Sequence, residues 1–340
     1  MTLSQTTAVT RKGIVFFGIF LLLVTLSLIG YNLYKQYELA HRKPIEEKPE
    51  MRFGTLPKIK FPAQTVSSSN FTYSLDTTTG ELPQVPKLLK VYFIPQTGIS
   101  LMDADYAKQL AEKLGFPQGP QILATTEYKF TNDQDASLII NITTGNFHFQ
   151  RQVIPTKDDP PQGSFPEKER LIGDFKQFLS SKDVLPPELQ NGTGNVTYSG
   201  SGDEETAHLS LWPADIDKMT VITPQFTQGL VRATVTKHTL EANKYIDINF
   251  IFWPVDKASS STYLLKLPAQ AFSELKIGQG FVALEPDQPQ VSISSVYLAY
   301  YQSESYSPYL QPVYVFDGPQ FIALVPAIGA SLTPTDATPK

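Results

Sequence analysis

Twenty-one consecutive residues without a charge, Ile14 to Tyr34 (IVFFGIFLLLVTLSLIGYNLY), constrain this 340-residue chain more than any other feature. At 1.5 Å per residue a helix of that length spans about 30 Å, the thickness of a bilayer's hydrocarbon core. No face of the run is polar, so it predicts a transmembrane helix over residues 14–34. A cleaved signal peptide would carry a shorter apolar region ending in a small-x-small site, and Gly30-Tyr31-Asn32 is not one. Arg11 and Lys12 close the N-terminal side, and Tyr31, Tyr34 and Tyr37 sit where an interfacial aromatic belt would. Lys35, Arg42, Lys43 and Lys48 on the other side favour a cytoplasmic C-terminal domain by count. Long domains, however, translocate largely regardless of flanking charge. The expected orientation is therefore a cytoplasmic N-terminal tail (residues 1–13) and an extracytoplasmic C-terminal domain at the cell membrane.

The remainder has the composition of a folded protein, 41% of the whole chain being hydrophobic. A net charge of −5 argues against nucleic acid as a partner, since phosphate binding needs a concentrated basic face. With no cysteine, disulfides, thiolate nucleophiles and zinc–thiolate sites are excluded.

Residues 35–52 are polar and contain Pro44 and Pro49, which reads as a stalk. Residues 329–340 form a small polar tail with nothing to bury. Between them three helices are predicted. One covers Met102 to Leu114, with Asp103 and Asp105 at its start and Gly115 after its end. A second opens with Ser164 and Glu167 as a capping box and carries the stripe Leu171, Phe175, Phe178, Leu179. A third follows Pro268. Alternating segments predict strands at residues 230–239, 245–253, 291–301, 313–316 and 321–325, with Asp317-Gly318 as a tight turn. The fold class expected is α+β: one N-terminal transmembrane helix and two β-rich lobes of antiparallel sheet with a few packed helices. The lobes are placed at residues 53–155 and 201–328, joined by a helix and linker over 156–200. Two internal echoes suggest duplicated units. Thr72 to Pro83 resembles Leu138 to Phe149 around Thr-Thr-Gly, and Leu209 to Asp215 resembles Phe250 to Asp256 around Trp-Pro.

The unit DADYAKQLAEKLGF followed by LIINITTGNFHFQ resembles a PepSY-type module. The stretch from AQAFSELKIGQGF to VYVFDG, with the pair Tyr300 and Tyr301 and a strand entered through Pro312, is similar to the last domain of YycH/YycI-like proteins. Those are membrane-anchored accessory regulators of a bacterial envelope sensor kinase. The resemblance covers about residues 100–150 and 265–320. It implies a non-enzymatic regulatory protein of the cell envelope that docks another membrane protein, with helix-to-helix contact inside the membrane.

No residue stands out as catalytic, cofactor-binding or metal-binding, and no cofactor is expected. Ser273 and Lys276 match S-x-x-K, the nucleophile motif of penicillin-recognising enzymes, but the K-T-G partner strand is missing. They carry the alternative reading of an envelope enzyme, a wall-modifying transferase or hydrolase; a passive polymer-binding scaffold is the third. His41, His148, His208 and His238 lack a second ligand at metal-binding spacing on one helix. Asp133 and Asp135 lack the glycine and distal glutamate of a calcium loop. Asp203, Glu204 and Glu205 form an acidic loop, and Trp212 and Trp253 read as core or lobe-interface aromatics. Sequons at Asn70, Asn141, Asn191 and Asn195 matter only in a secretory host. The partners expected are the lipid bilayer through residues 14–34 and a membrane protein.

Overall fold

The computed structural model describes residues 17, 20, 22–35, 37, 48–96, 98, 100–132, 136–154 and 156–329. It divides into two units, residues 1–48 and 49–340. In the first, residues 22–35 are helical. The expected tail 1–13 and part of the expected span 14–34 lie outside the described residues, as do residues 38–47 of the stalk and 330–340 of the C-terminal tail. Among the described residues no helix is long and apolar enough to cross a membrane.

In the second unit the alternating segments become the strands of an α+β fold. One eight-stranded sheet has the spatial order β3 (Gln118–Ala124), β4 (Glu127–Thr131), β5 (Ser137–Asn141), β6 (Phe147–Gln150), β11 (Tyr245–Phe250), β10 (Val231–Val235), β8 (Thr206–Trp212), β7 (Thr193–Ser199). All its neighbouring pairs are antiparallel. Successive side chains point to opposite faces, so Val231, Ala233 and Val235 turn inward with Phe147, Phe149, Ile248 and Phe250. Helices α1 (Asp103–Lys113) and α2 (Lys168–Ser181) complete that core.

Helix α2 buries the stripe read from its sequence, Leu171, Phe175, Phe178 and Leu179. It starts later than the capping box at Ser164 suggests. Pro166 biases the residue before it toward extended backbone, and Glu167 is itself extended at ψ 150°, so the helix opens at Lys168 without a side-chain cap. Helix α1 ends as expected. Gly115 takes φ +86°, and the Phe116 N–H reaches back to the Ala111 carbonyl at 2.8 Å.

The second sheet runs β12 (Asp256–Leu264), β2 (Leu88–Phe93), β16 (Tyr309–Gly318), β15 (Ser295–Tyr301), β9 (Val221–Ile222). Beside β16 lies β17 (Phe321–Pro326), which in turn pairs with β13 (Phe281–Leu284). A parallel pair, β1 (Thr72–Leu75) and β14 (Gln290–Ile293), accompanies it. Two short helices, α3 (Pro187–Gln190) and α4 (Glu241–Lys244), belong to the eight-stranded half; α5 (Pro268–Lys276) buries Ala271 and Leu275 against the second sheet's core.

The sheets do not follow the expected boundaries of 53–155 and 201–328. Strand β2, from the first expected lobe, pairs with β12 and β16 of the second, while β6 pairs with β11. The eight-stranded half is thus an insertion between β2 and β12, and β9 leaves it to pair with β15. The echoes do not mark duplicated lobes either. Thr-Thr-Gly makes a β5–β6 hairpin turn in one copy, whereas β1 in the other pairs with β14. The Trp-Pro copies end β8 and follow β11, which flank β10; Leu211 and Phe250 both sit opposite Val231. The turn expected at Asp317-Gly318 falls at Pro319-Gln320 instead, because Gly318 remains in β16 opposite Phe321. A Cβ on Gly318 would lie 2.2 Å from the Ser292 carbonyl oxygen, so the glycine serves close strand approach.

Candidate functional site

Helices cover one face of the eight-stranded sheet, and the other face carries the polar residues of the alternating pattern. Register arranges them in rows. His148, Asn249, Arg232, Ser210 and Asn195 stand opposite one another across β6, β11, β10, β8 and β7. The next row holds Asp247, Thr234, His208 and Thr197. At strand spacing of about 4.8 Å the first row spans about 19 Å. Together with Thr227 and Gln228 from the loop before β10, these residues line a cavity of ≈ 660 Å³ in which only Leu209 and Ala233 are apolar.

Its ionisable groups are tied to one another. His148 Nε2 lies 2.9 Å from Asp247 Oδ2. That hydrogen bond raises the imidazole pKa above its ordinary value; burial and Arg232 oppose the rise, and the Asp247 charge assists it. The stabilisation from this pair is complete below the unfolded value of 6.5 and is lost as pH rises through the folded one. We expect Asp247→Asn to lower the His148 midpoint in an NMR titration; an unmoved midpoint would show that the contact is not formed in solution. Arg232 donates to Gln228 Oε1 at 3.2 Å and pairs with Glu304 at 3.6 Å, tying the cleft's floor to the loop after β15. His208 Nε2 lies 2.6 Å from Ser199 Oγ, and its Nδ1 lies 3.3 Å from Thr234 Oγ1.

The other sequence candidates lie apart. Ser273 donates to the Ala269 carbonyl of its own helix at 2.9 Å, and Lys276 Nζ lies 4.4 Å from the Phe272 ring centroid. The Ser273–Lys276 spacing therefore brings a helix turn together without joining the two groups. His238 Nδ1 lies 2.7 Å from the Asp159 carbonyl. Of the acidic loop, Glu205 pairs with Lys237 at 2.7 Å, and that Lys also donates to the Gly202 carbonyl. Among the described residues no group of three or more His, Asp or Glu is placed to hold a metal ion. Trp253 donates its indole N–H to the Ser303 carbonyl and meets Tyr306 edge-on. His41, Asp133 and Asp135 lie outside the described residues.

Arg232, Asp247 and Asn249 were not singled out by sequence. The signal was present as polar positions alternating within LVRATVTKHT and YIDINFIFW, but alternation gives a face and not a neighbour.

No family model matches the chain, and no curated protein matches it. Among solved structures it is similar to an uncharacterized protein from Eubacterium rectale ATCC 33656, at 11% identity and a TM-score of 0.35, over 72% of this chain and 84% of that one.

Proposed function

We propose that this chain is a membrane-anchored, non-enzymatic protein of the cell envelope that docks another membrane protein through the polar face of its eight-stranded sheet. The apolar run at residues 14–34 supplies the tether. The observation that carries the reading is the cleft itself, a row of amide, hydroxyl, imidazole and guanidinium groups left uncovered opposite a helix-packed face. Such a grid of donors and acceptors fits a polar protein surface, with Arg232 as the centrally placed anchor. The resemblance to PepSY and YycH/YycI-like regulators points the same way.

A photo-crosslinking residue at Asn249 in the full-length protein should trap a discrete membrane-protein adduct in cells. The same residue at exposed Glu285, in the loop after β13, should not. Arg232→Ala should cut the adduct about tenfold, the effect of removing one charged contact. Equal adducts from both positions, or none from Asn249, would defeat the reading.

The 2.6 Å contact of Ser199 with His208 favours a second reading, an envelope hydrolase in which His208 takes the Ser199 proton. Labelling by a serine-reactive probe that Ser199→Ala abolishes would establish it; the Ser273 alternative is read from the same experiment with Ser273→Ala.

A further inference from the structure

A strand at a sheet edge leaves backbone N–H and C=O groups unpaired, and natural proteins blunt such edges with proline, charge, bulges or cover. Strand β3 carries Pro120 and two register shifts against β4. Strand β12 shifts register against β2, and its Ser261 and Thr262 accept the N–H groups of Glu50, Met51 and Arg52. Strand β13 shifts register against β17, and the Gln64 amide binds the Val282 N–H and the Gly280 carbonyl beside it. β7 has none of these guards. Its seven residues, TGNVTYS, pair with β8 from Thr193 to Ser199 without a shift and include neither proline nor charge.

The hydrogen-bond phase of the sheet says which groups β7 leaves open. In an antiparallel pair a residue sends its N–H and C=O to the same side. The Ile251 N–H bonds the Leu230 carbonyl, so Arg232 faces β11 while Val231 and Ala233 face β8. By register, His208 and Ser210 then face β7, opposite Thr197 and Asn195. Gly194, Val196 and Tyr198 are left directed out of the sheet. Val196 agrees with this: its N–H turns to Asn195 Oδ1 of its own strand, 2.9 Å away.

The strand is also matched to itself. Turn a second copy about a two-fold axis through Val196, and Val196 meets its own equivalent with both backbone groups free to exchange. Asn195 then falls opposite Thr197 of the second copy, amide against hydroxyl. Tyr198 falls opposite Gly194 of the second copy, so a large ring meets no side chain. Val196 belongs to the helix-packed core, and alternation puts Gly194 and Tyr198 on the same side. The polar face of one sheet therefore continues into the polar face of the other.

We propose that β7 is a dimerisation edge, pairing antiparallel with β7 of a second copy about Val196 so that the two eight-stranded sheets become one. The Asn195 side chain releases the Val196 N–H as the strands meet. The contact uses the sheet's edge and does not depend on what its polar face binds.

The lack of native cysteine permits a register-specific test. Asn195 and Thr197 of opposite copies would form a non-hydrogen-bonded pair with Cα atoms about 4.5 Å apart, inside disulfide range. Two copies of the same one of these residues would stand diagonally, about 7–8 Å apart and beyond that range. Differently tagged full-length chains, one Asn195→Cys and one Thr197→Cys, are co-expressed and their membranes treated with a mild oxidant. The mixed pair should give a disulfide-linked heterodimer, and either variant expressed alone should stay monomeric. Adding Tyr198→Pro to both chains removes an outward N–H, spares the bonds to β8 and should abolish the heterodimer. No heterodimer, equal crosslinking by the single variants, or a heterodimer indifferent to Tyr198→Pro would overturn the proposal.

Discussion

Asp159→Ala should lose about 3 to 4 kcal/mol of folding stability, read by urea denaturation at pH 7, the scale of breaking a buried charged network. Asp159 is 1% exposed. One carboxylate oxygen accepts from the Thr239 N–H, the Thr239 hydroxyl and the Leu240 N–H at 2.9, 2.9 and 3.2 Å. The other accepts from Asn243 Nδ2 at 2.9 Å. Asn243 in turn holds both the N–H and the carbonyl of Ile154. Removing the carboxylate would leave several buried donors unpaired at once, which costs more than the bonds themselves contribute.

The same residue gives the loss a pH signature. Burial alone would raise the Asp159 carboxyl, but the hydrogen bonds from Asn243, Thr239 and Leu240 outweigh it and hold the pKa far below 3.8. A depressed folded value means the contribution is complete above 3.8. It declines as pH falls below that and is gone beneath the folded value. The gap between wild type and Asp159→Ala should therefore be constant from pH 5 to 7 and narrow on acidification. A gap that ignores pH would mean that Asp159 acts by packing alone. The network pins the connection between β10 and β11, so looser docking by the variant would follow from displaced Arg232, Thr234, Asp247 and Asn249.

The second large effect is all-or-none. Ser201, exposed in the loop between β7 and β8, becomes the chain's single thiol in Ser201→Cys, because the sequence has no cysteine. Under the proposed topology a membrane-impermeant maleimide should label intact cells as completely as lysed ones. Labelling confined to lysates would put the eight-stranded sheet in the cytoplasm and end the envelope reading, whatever the cleft binds.

Local rules reached some of this fold and stopped at identifiable points. The stripe of α2 and the glycine stop of α1 depend on neighbours within a turn or two, and both were legible. The strands at 231–235 and 245–250 were legible because a half-buried strand must alternate. Pairing was not. Tyr92 lies opposite Leu310, and no periodicity in either segment says so. The turn falls at Pro319-Gln320 and not at Asp317-Gly318 because Gly318 stays in β16 opposite Phe321, where the backbone of Ser292, remote in sequence, leaves no room for a side chain. The site suffered most. A lone aspartate such as Asp159 looks like any other acidic loop residue until Thr239 and Asn243 are brought to it. Tyr301 stands in the sequence only as part of a Tyr-Tyr pair; its burial is a property of the packed interior.

The second sheet, built from segments more than two hundred residues apart, has a consequence for synthesis. Strand β2 leaves the ribosome early, and its partners β12 and β16 leave about 160 and more than 200 residues later. At ordinary elongation rates that is a wait on the order of ten to forty seconds. Meanwhile the eight-stranded insertion can close on itself, every one of its strands being drawn from a single continuous stretch. Leu88 to Phe93 therefore passes through the cell's export or folding machinery as an unmatched apolar edge, the kind of segment that holdase chaperones protect. The half that is first to begin is the last to finish, and β16 and β17 act as a latch: only a chain translated past Pro326 can shut it.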